Sequence, residues 1–145
     1  MNSVALNTLS AVDARRLIAS SQLSPVELLD ACIAQMQAVN PSVNALAATR
    51  FAHARSEARA AEQAVMRGEK LGSLHGLPLG VKDLEETGGL LTTYGSPVFR
   101  SNVPVRDNAI VARLRAAGAI LVGSLFSTQT AHRGSRSKSG AGPQP

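Results

Sequence analysis

Apolar residues recur at steps of three and four in several stretches of the chain, and helix-boundary residues flank each stretch. Ser10 precedes Asp13 by three, a variant of the capping box with Asp in place of Glu or Gln, and Leu17 and Ile18 supply an apolar face, so a short helix is predicted from Ser10 to Ser20. The next signal is fuller. Ser24 is an N-cap type, Pro25 suits the first helical position, Glu27 completes the box, and Val26, Leu29, Ile33 and Met36 follow at helical spacing. That helix is predicted to run to Val39 and to stop at Asn40-Pro41, since the residue before a proline is pushed out of the helical region. Val43 to Ala48 then reads as a short strand.

From Arg50 to Arg67, Phe51, Ala54, Ala58, Ala61 and Val65 form one face opposite Arg55, Arg59 and Glu62, with Gly68 placed to close the helix. A face made mostly of alanine gains little from burial, which leaves two readings: close packing against something larger, or a surface helix. After Gly72 the texture becomes glycine-punctuated. Leu79 and Val81 extend as a short buried strand with Lys82 at its end. Residues 85–104 hold Gly88, Gly89, Gly95, Pro97 and Pro104, too many breakers for a long element, and read as loop with short extended pieces. Asp107 is placed to cap a further helix with Ile110, Val111 and Leu114 on its apolar face; Gly118 stops it, and Ala119 to Val122 is a four-residue strand. From Ser124 periodicity is lost and a disordered tail is expected.

The composition is that of a globular chain, 44% hydrophobic and 17% charged, but 3% aromatic with no Trp leaves Leu, Val, Ile and Ala to fill the core. The net charge of +5 divides unevenly, because Arg133, Arg136 and Lys138 lie after Gly123 and no acid does. Three charges without interleaved aromatics are a weak footprint for nucleic acid, although they leave an acidic partner open. One cysteine, Cys32, has no internal disulfide partner and falls among apolar neighbours, which fits a small core residue in a reducing cytoplasm. No apolar run has the length of a membrane span, and Asp13, Arg15 and Arg16 interrupt what a secretory leader needs. His53, His75 and His132 show no ligand spacing, so no metal and no cofactor is expected.

Three stretches carry a resemblance. Gly76 to Asp83 resembles the Gly-x-Pro-x-x-x-Lys-Asp segment of the amidase signature family, with Lys82 at the catalytic lysine position. Thr92-Thr93-Tyr94-Gly95-Ser96 and then Asp107 to Gly123 follow in that family's order and spacing, and Leu23 to Leu28 and Asn40 to Ala45 are similar to its first helices. The resemblance implies an α/β fold consisting of N-terminal helices plus the first strands of the family's mixed sheet, incomplete, over residues 1–123. Residues 124–145 form a basic Ser, Gly and Arg-rich tail. Where the family continues Lys-Thr-Asn, this chain reads Ser124-Leu125-Phe126, as an out-of-frame translation would. A frameshift or truncation after Gly123 is the expectation, and an in-frame, family-like stop in independent isolates would refute it.

The chemistry implied is amide hydrolysis by a Ser, cis-Ser, Lys triad. A nucleophile, a base, a donor to the leaving amine and an oxyanion site are all required. Lys82 is the base, and a neutral amine needs a pKa well below its aqueous ~10.4, for which desolvation is the usual route. Asp83 opposes that if it is close. Thr93, Tyr94, Gly95 and Ser96 are candidate substrate contacts, against the plain alternative that Gly, Ser and Thr are ordinary loop residues. The family's Gly-Gly-Ser-Ser-Gly-Gly segment is not found in the sequence, and Ser135, Ser137 and Ser139 lack the glycine pairs that let backbone N–H groups converge. The expectation is an amidase fragment, inactive alone, whose relatives take small amides and which either pairs with a separate C-terminal half or binds through its tail.

Overall fold

The computed structural model describes residues 6–126. The helix α1 (Ala11–Ala19) starts as expected: Ser10 Oγ accepts from the Asp13 N–H at 3.0 Å and donates to Asp13 Oδ2 at 2.7 Å, while Ala14 and Ile18 are buried. Helix α2 (Pro25–Val43) has the full capping box, with Ser24 Oγ receiving the Val26 and Glu27 N–H groups and Glu27 reaching back to the Ser24 N–H.

This helix does not stop at Asn40-Pro41. Pro41 lies inside its last turn, and the chain leaves through Asn44 in the left-handed region at φ 48°. The reason is the Asn40 side chain, whose Oδ1 accepts from the N–H groups of Ala45 and Leu46 at 2.9 and 3.0 Å and so organises the exit beyond the proline. The following strand is displaced accordingly: β1 is Leu46–Thr49.

The alanine-rich helix α3 (Phe51–Met66) packs closely. Ala54 and Ala58 are fully buried against Leu29 and Ile33 of α2 and against Ile120 and Val122 of the last strand. Small side chains let these backbones approach, and the larger apolar partners supply the burial energy, roughly 1.5–3 kcal/mol for each Leu or Ile. Cys32 is half-buried beside the cluster that joins α1 to α2.

Strand β2 is Pro78–Lys82, α4 is Ala109–Ala116 and β3 is Ile120–Leu125. Two boundary expectations change here. The cap of α4 is Asn108, whose side chain accepts from the Val111 N–H at 2.9 Å; Asp107 turns away to the Gly88 N–H and Arg115. Ile110 is 56% exposed, so Val111 alone buries the helix fully. Between β2 and α4 there is no strand but a set of turns and one 3-10 turn, Pro97–Phe99.

The sheet has the order β1-β3-β2, antiparallel between β1 and β3 and parallel between β2 and β3. The central strand is buried from Ile120 to Ser124. Its Ile120 and Val122 face α2 and α3, whereas Leu121 meets Val81 and Val111 on the opposite side. It runs three residues past Val122 because backbone pairing on both edges, Thr49 and Gly80 at Gly123 and Ala48 and Val81 at Ser124, holds a stretch that has no apolar pattern of its own. The tail from residue 127 onward, with Arg133, Arg136, Lys138 and the serines Ser135, Ser137 and Ser139, lies outside the described residues.

Candidate functional site

Alternation along β2 decides where its last residues point. Val81 is 6% exposed and Asp83, one residue past the strand, is 1% exposed, while Lys82 between them is exposed to solvent. The buried frame expected around the lysine is therefore one-sided. Leu79 is half-buried, Val81 faces away from Lys82, and residues 6–126 do not desolvate the ammonium group.

Asp83 does not pair with its neighbour. Its Oδ1 accepts from the Thr93 N–H at 2.7 Å, and its Oδ2 accepts from the Thr93 hydroxyl and, at 3.4 Å, from the Gly95 N–H. Its own N–H donates to the Leu125 carbonyl at 2.8 Å, tying the end of β2 to the end of β3. One residue thus joins the lysine-bearing strand end to the turn that holds Thr93, Tyr94, Gly95 and Ser96, all half-buried. Tyr94 and Gly95 are both left-handed, at φ 52° and 68°. The turn is braced again from behind: Thr92 is buried, its N–H donates to the Asn102 carbonyl at 3.0 Å, and Asn102 Nδ2 returns a bond to the Thr92 carbonyl at 2.9 Å. Ser96 receives the Val98 N–H and so caps the 3-10 turn.

In the sequence Asp83 closes the Gly76 to Asp83 motif and otherwise reads as a charge beside Lys82. Its role as anchor is signalled by the strand's own period, which places it on the face of Val81. The partners Glu86 and Asn102 carry no such signal, because a turn-rich segment does not reveal which of its residues meet.

The Tyr94 hydroxyl donates to Glu86 Oε1 at 2.5 Å, and its ring meets Phe99 edge-to-face at 5.1 Å. The bond to the Glu86 carboxylate, with partial burial and Glu86's negative charge adding, holds the phenol above its ordinary 10.0. Because the folded value is raised, the neutral phenol's contribution to stability is fully present below pH 10.0 and is lost as pH rises through the folded value. Tyr94 is the one tyrosine in the sequence, so near-ultraviolet absorbance follows it alone. The native midpoint is expected above 10.0 and the denatured one near it; coincident midpoints would show that the Glu86 bond is not made.

Among the described residues the histidines offer no ligand set. His75 Nε2 lies 3.0 Å from the Ala61 carbonyl, and no group of three His, Cys, Asp or Glu is arranged to hold a metal ion among the described residues. No helix among them is long and apolar enough to cross a membrane.

A family model described as Amidase matches residues 27–144, past Gly123 where the quoted motifs end. A glutamyl-tRNA(Gln) amidotransferase subunit from Roseiflexus castenholzii is 40% identical over 120 residues, which cover 83% of this chain and 24% of that protein. The acylamidase of Rhodococcus erythropolis is 36% identical over 129 residues, 89% of this chain and 27% of its own length. The structure of a bacterial aryl acylamidase of the amidase signature enzymes superposes with a TM-score of 0.75 at 26% identity, over 81% of this chain and 25% of that one. The chain spans about a quarter of the length of the relatives it matches. With its helices and three-stranded mixed sheet reproducing part of that fold, the chain belongs to the amidase family.

Proposed function

We propose that these 145 residues carry the base, Lys82, of an amide-bond hydrolase of the Ser, cis-Ser, Lys type and leave both serines to a complementary portion, so that the chain is inactive alone. The observation that carries the reading is the junction at Asp83, which puts the lysine of the Gly76 to Asp83 motif and the Thr93 to Ser96 turn on one framework at the end of the sheet. In this reading Lys82 removes the proton from the bridging serine and the turn contacts a small amide. Docking the complementary portion covers Lys82 and supplies the desolvation that its exposure here does not.

Assembly with such a portion is favoured by large apolar side chains left exposed after the site: Val98 at 84%, Val105 at 94%, Val103 at 52% and Ile110 at 56%. We place the chain in the reducing cytoplasm, where Cys32, half-buried and with its thiol pushed up by burial, stays a packing residue.

The test measures hydrolysis of small aliphatic and aryl amides by the chain alone and after co-folding with the Ser-bearing remainder of a relative. No turnover is expected from the chain alone, and turnover that Lys82→Ala removes is expected from the pair. Turnover without a partner, or paired turnover indifferent to Lys82→Ala, overturns the reading.

A further inference from the structure

Asp83 is the most completely buried acid among the described residues, and none of the ion pairs there includes it. A carboxylate removed from water must be compensated, and the donors that do so all come from one short segment: the Thr93 N–H, the Thr93 hydroxyl and the Gly95 N–H. That segment also holds an aromatic residue, Tyr94, in the left-handed region that L side chains avoid. Backbone of this kind persists where its surroundings over-determine it, and N–H groups converging on an anion are such a constraint.

We propose that Asp83 is a positioning residue, whose carboxylate clamps the Thr93–Gly95 turn to the end of β2 so that the turn and Lys82 keep one fixed spacing. The inference rests on the reading of Lys82 as the base, because only then does the spacing determine where a substrate carbonyl held by the turn lies relative to the reacting groups. The clamp is one-directional in its chemistry. A carboxylate accepts from all three donors, whereas the carboxamide of Asn presents an NH2 group to one side and loses at least one of them.

Amide hydrogen exchange on the full chain tests this without any turnover. In Asp83→Asn, exchange at Thr93 and Gly95 is expected to rise about tenfold or more while Leu121 and Val122 in β3 hold within about twofold, and the ε-methylene resonances of Lys82 are expected to shift. Thr93→Val, which removes the hydroxyl that donates to Asp83 and also receives the Gly95 N–H at 3.2 Å, should raise exchange at Gly95 with a smaller rise at Thr93, and Thr93→Ser should restore both; this pair carries the test if Asp83→Asn does not fold. Unchanged exchange at Thr93 and Gly95, an equal rise throughout β3, or Lys82 resonances that stay in place overturns the proposal. Paired turnover indifferent to Lys82→Ala would instead refute the catalytic reading and leave the exchange result standing.

Discussion

Gly123→Ala is expected to cost about 3 kcal/mol or more, the upper range for forcing atoms into a packed site. A Cβ at this position would overlap the Ala48 carbonyl oxygen and lie 3.1 Å from Thr49 Cα. These are backbone atoms of the antiparallel partner, so no rotamer change relieves the contact and β1 itself has to move. The ladder to β2 is irregular just before Gly123, with a register shift between Leu79 and Gly80, whereas the ladder to β1 shifts only beyond it, between Ala48 and Leu46 opposite Ser124 and Leu125, so Thr49 sits in register against Gly123. Displacing β1 opens the sheet from one edge and exposes the side of Val122 that α3 covers. Gly80→Ala is the control. Its Cβ would meet only the end of the Leu125 side chain at 3.2 Å, which can turn aside, and a cost below about 1 kcal/mol is expected. Urea denaturation of both variants checks the pair, and equal midpoints would mean that β1 is not held against Gly123 as described.

The elements were legible where local chemistry decides them. Ser10 and Ser24 begin their helices by the cap bonds their spacing with Asp13 and Glu27 foretells. What failed was the assumption that a breaker acts alone. Pro41 does interrupt helical bonding, but its neighbour Asn40 has a side chain of the right length to receive two N–H groups beyond the helix, and the helix therefore runs to Val43 with Asn44 as its C-cap. Likewise Asp107 and Asn108 are equally good caps in sequence. Asn108 takes the role because Asp107 is drawn to the Gly88 N–H and to Arg115, contacts that only the folded chain brings near.

The site divides in the same way. The lysine at the end of an apolar strand was legible from the motif, as was its proximity to a glycine-rich turn in sequence order. The exposure of Lys82 is missed, although the period of two carries it, when the apolar residues before it are read as a buried frame; Val81 lies on the other face of the strand and Leu79 is only half-buried. Apolar neighbours in sequence bury a strand residue only if a second layer covers its face. For Lys82 residues 6–126 do not provide that layer, whereas for Asp83 the loop around Thr93 does.

Glu57→Ala is expected to destabilise the chain by about 2 kcal/mol, between the value of an exposed pair and that of a buried pair broken from one side, because Arg50 is 12% exposed and Glu57 28%. Glu57 Oε1 accepts from Arg50 Nη2 and from Arg115 Nη2, each at 3.0 Å, and Arg115 continues to Asp107 at 3.1 Å. One carboxylate oxygen thus holds the start of α3 to the end of α4. The arrangement is only partly satisfied, because Glu57 Oε2 and Arg50 Nη1 are buried without a hydrogen-bond partner. Removing the acid leaves the guanidinium of Arg50, whose side chain is 12% exposed, with no counter-charge among its described contacts. Arg115 is 34% exposed and keeps Asp107, so Arg115→Ala is expected to cost nearer to 1 kcal/mol. The sign of the pair is the sharper test. Replacing both Arg50 and Glu57 by leucine removes two incompletely paired groups together and is expected to cost less than Glu57→Ala alone. If the double replacement proves worse than the single one, the network contributes net stability through its charges, and the unpartnered atoms do not weaken it.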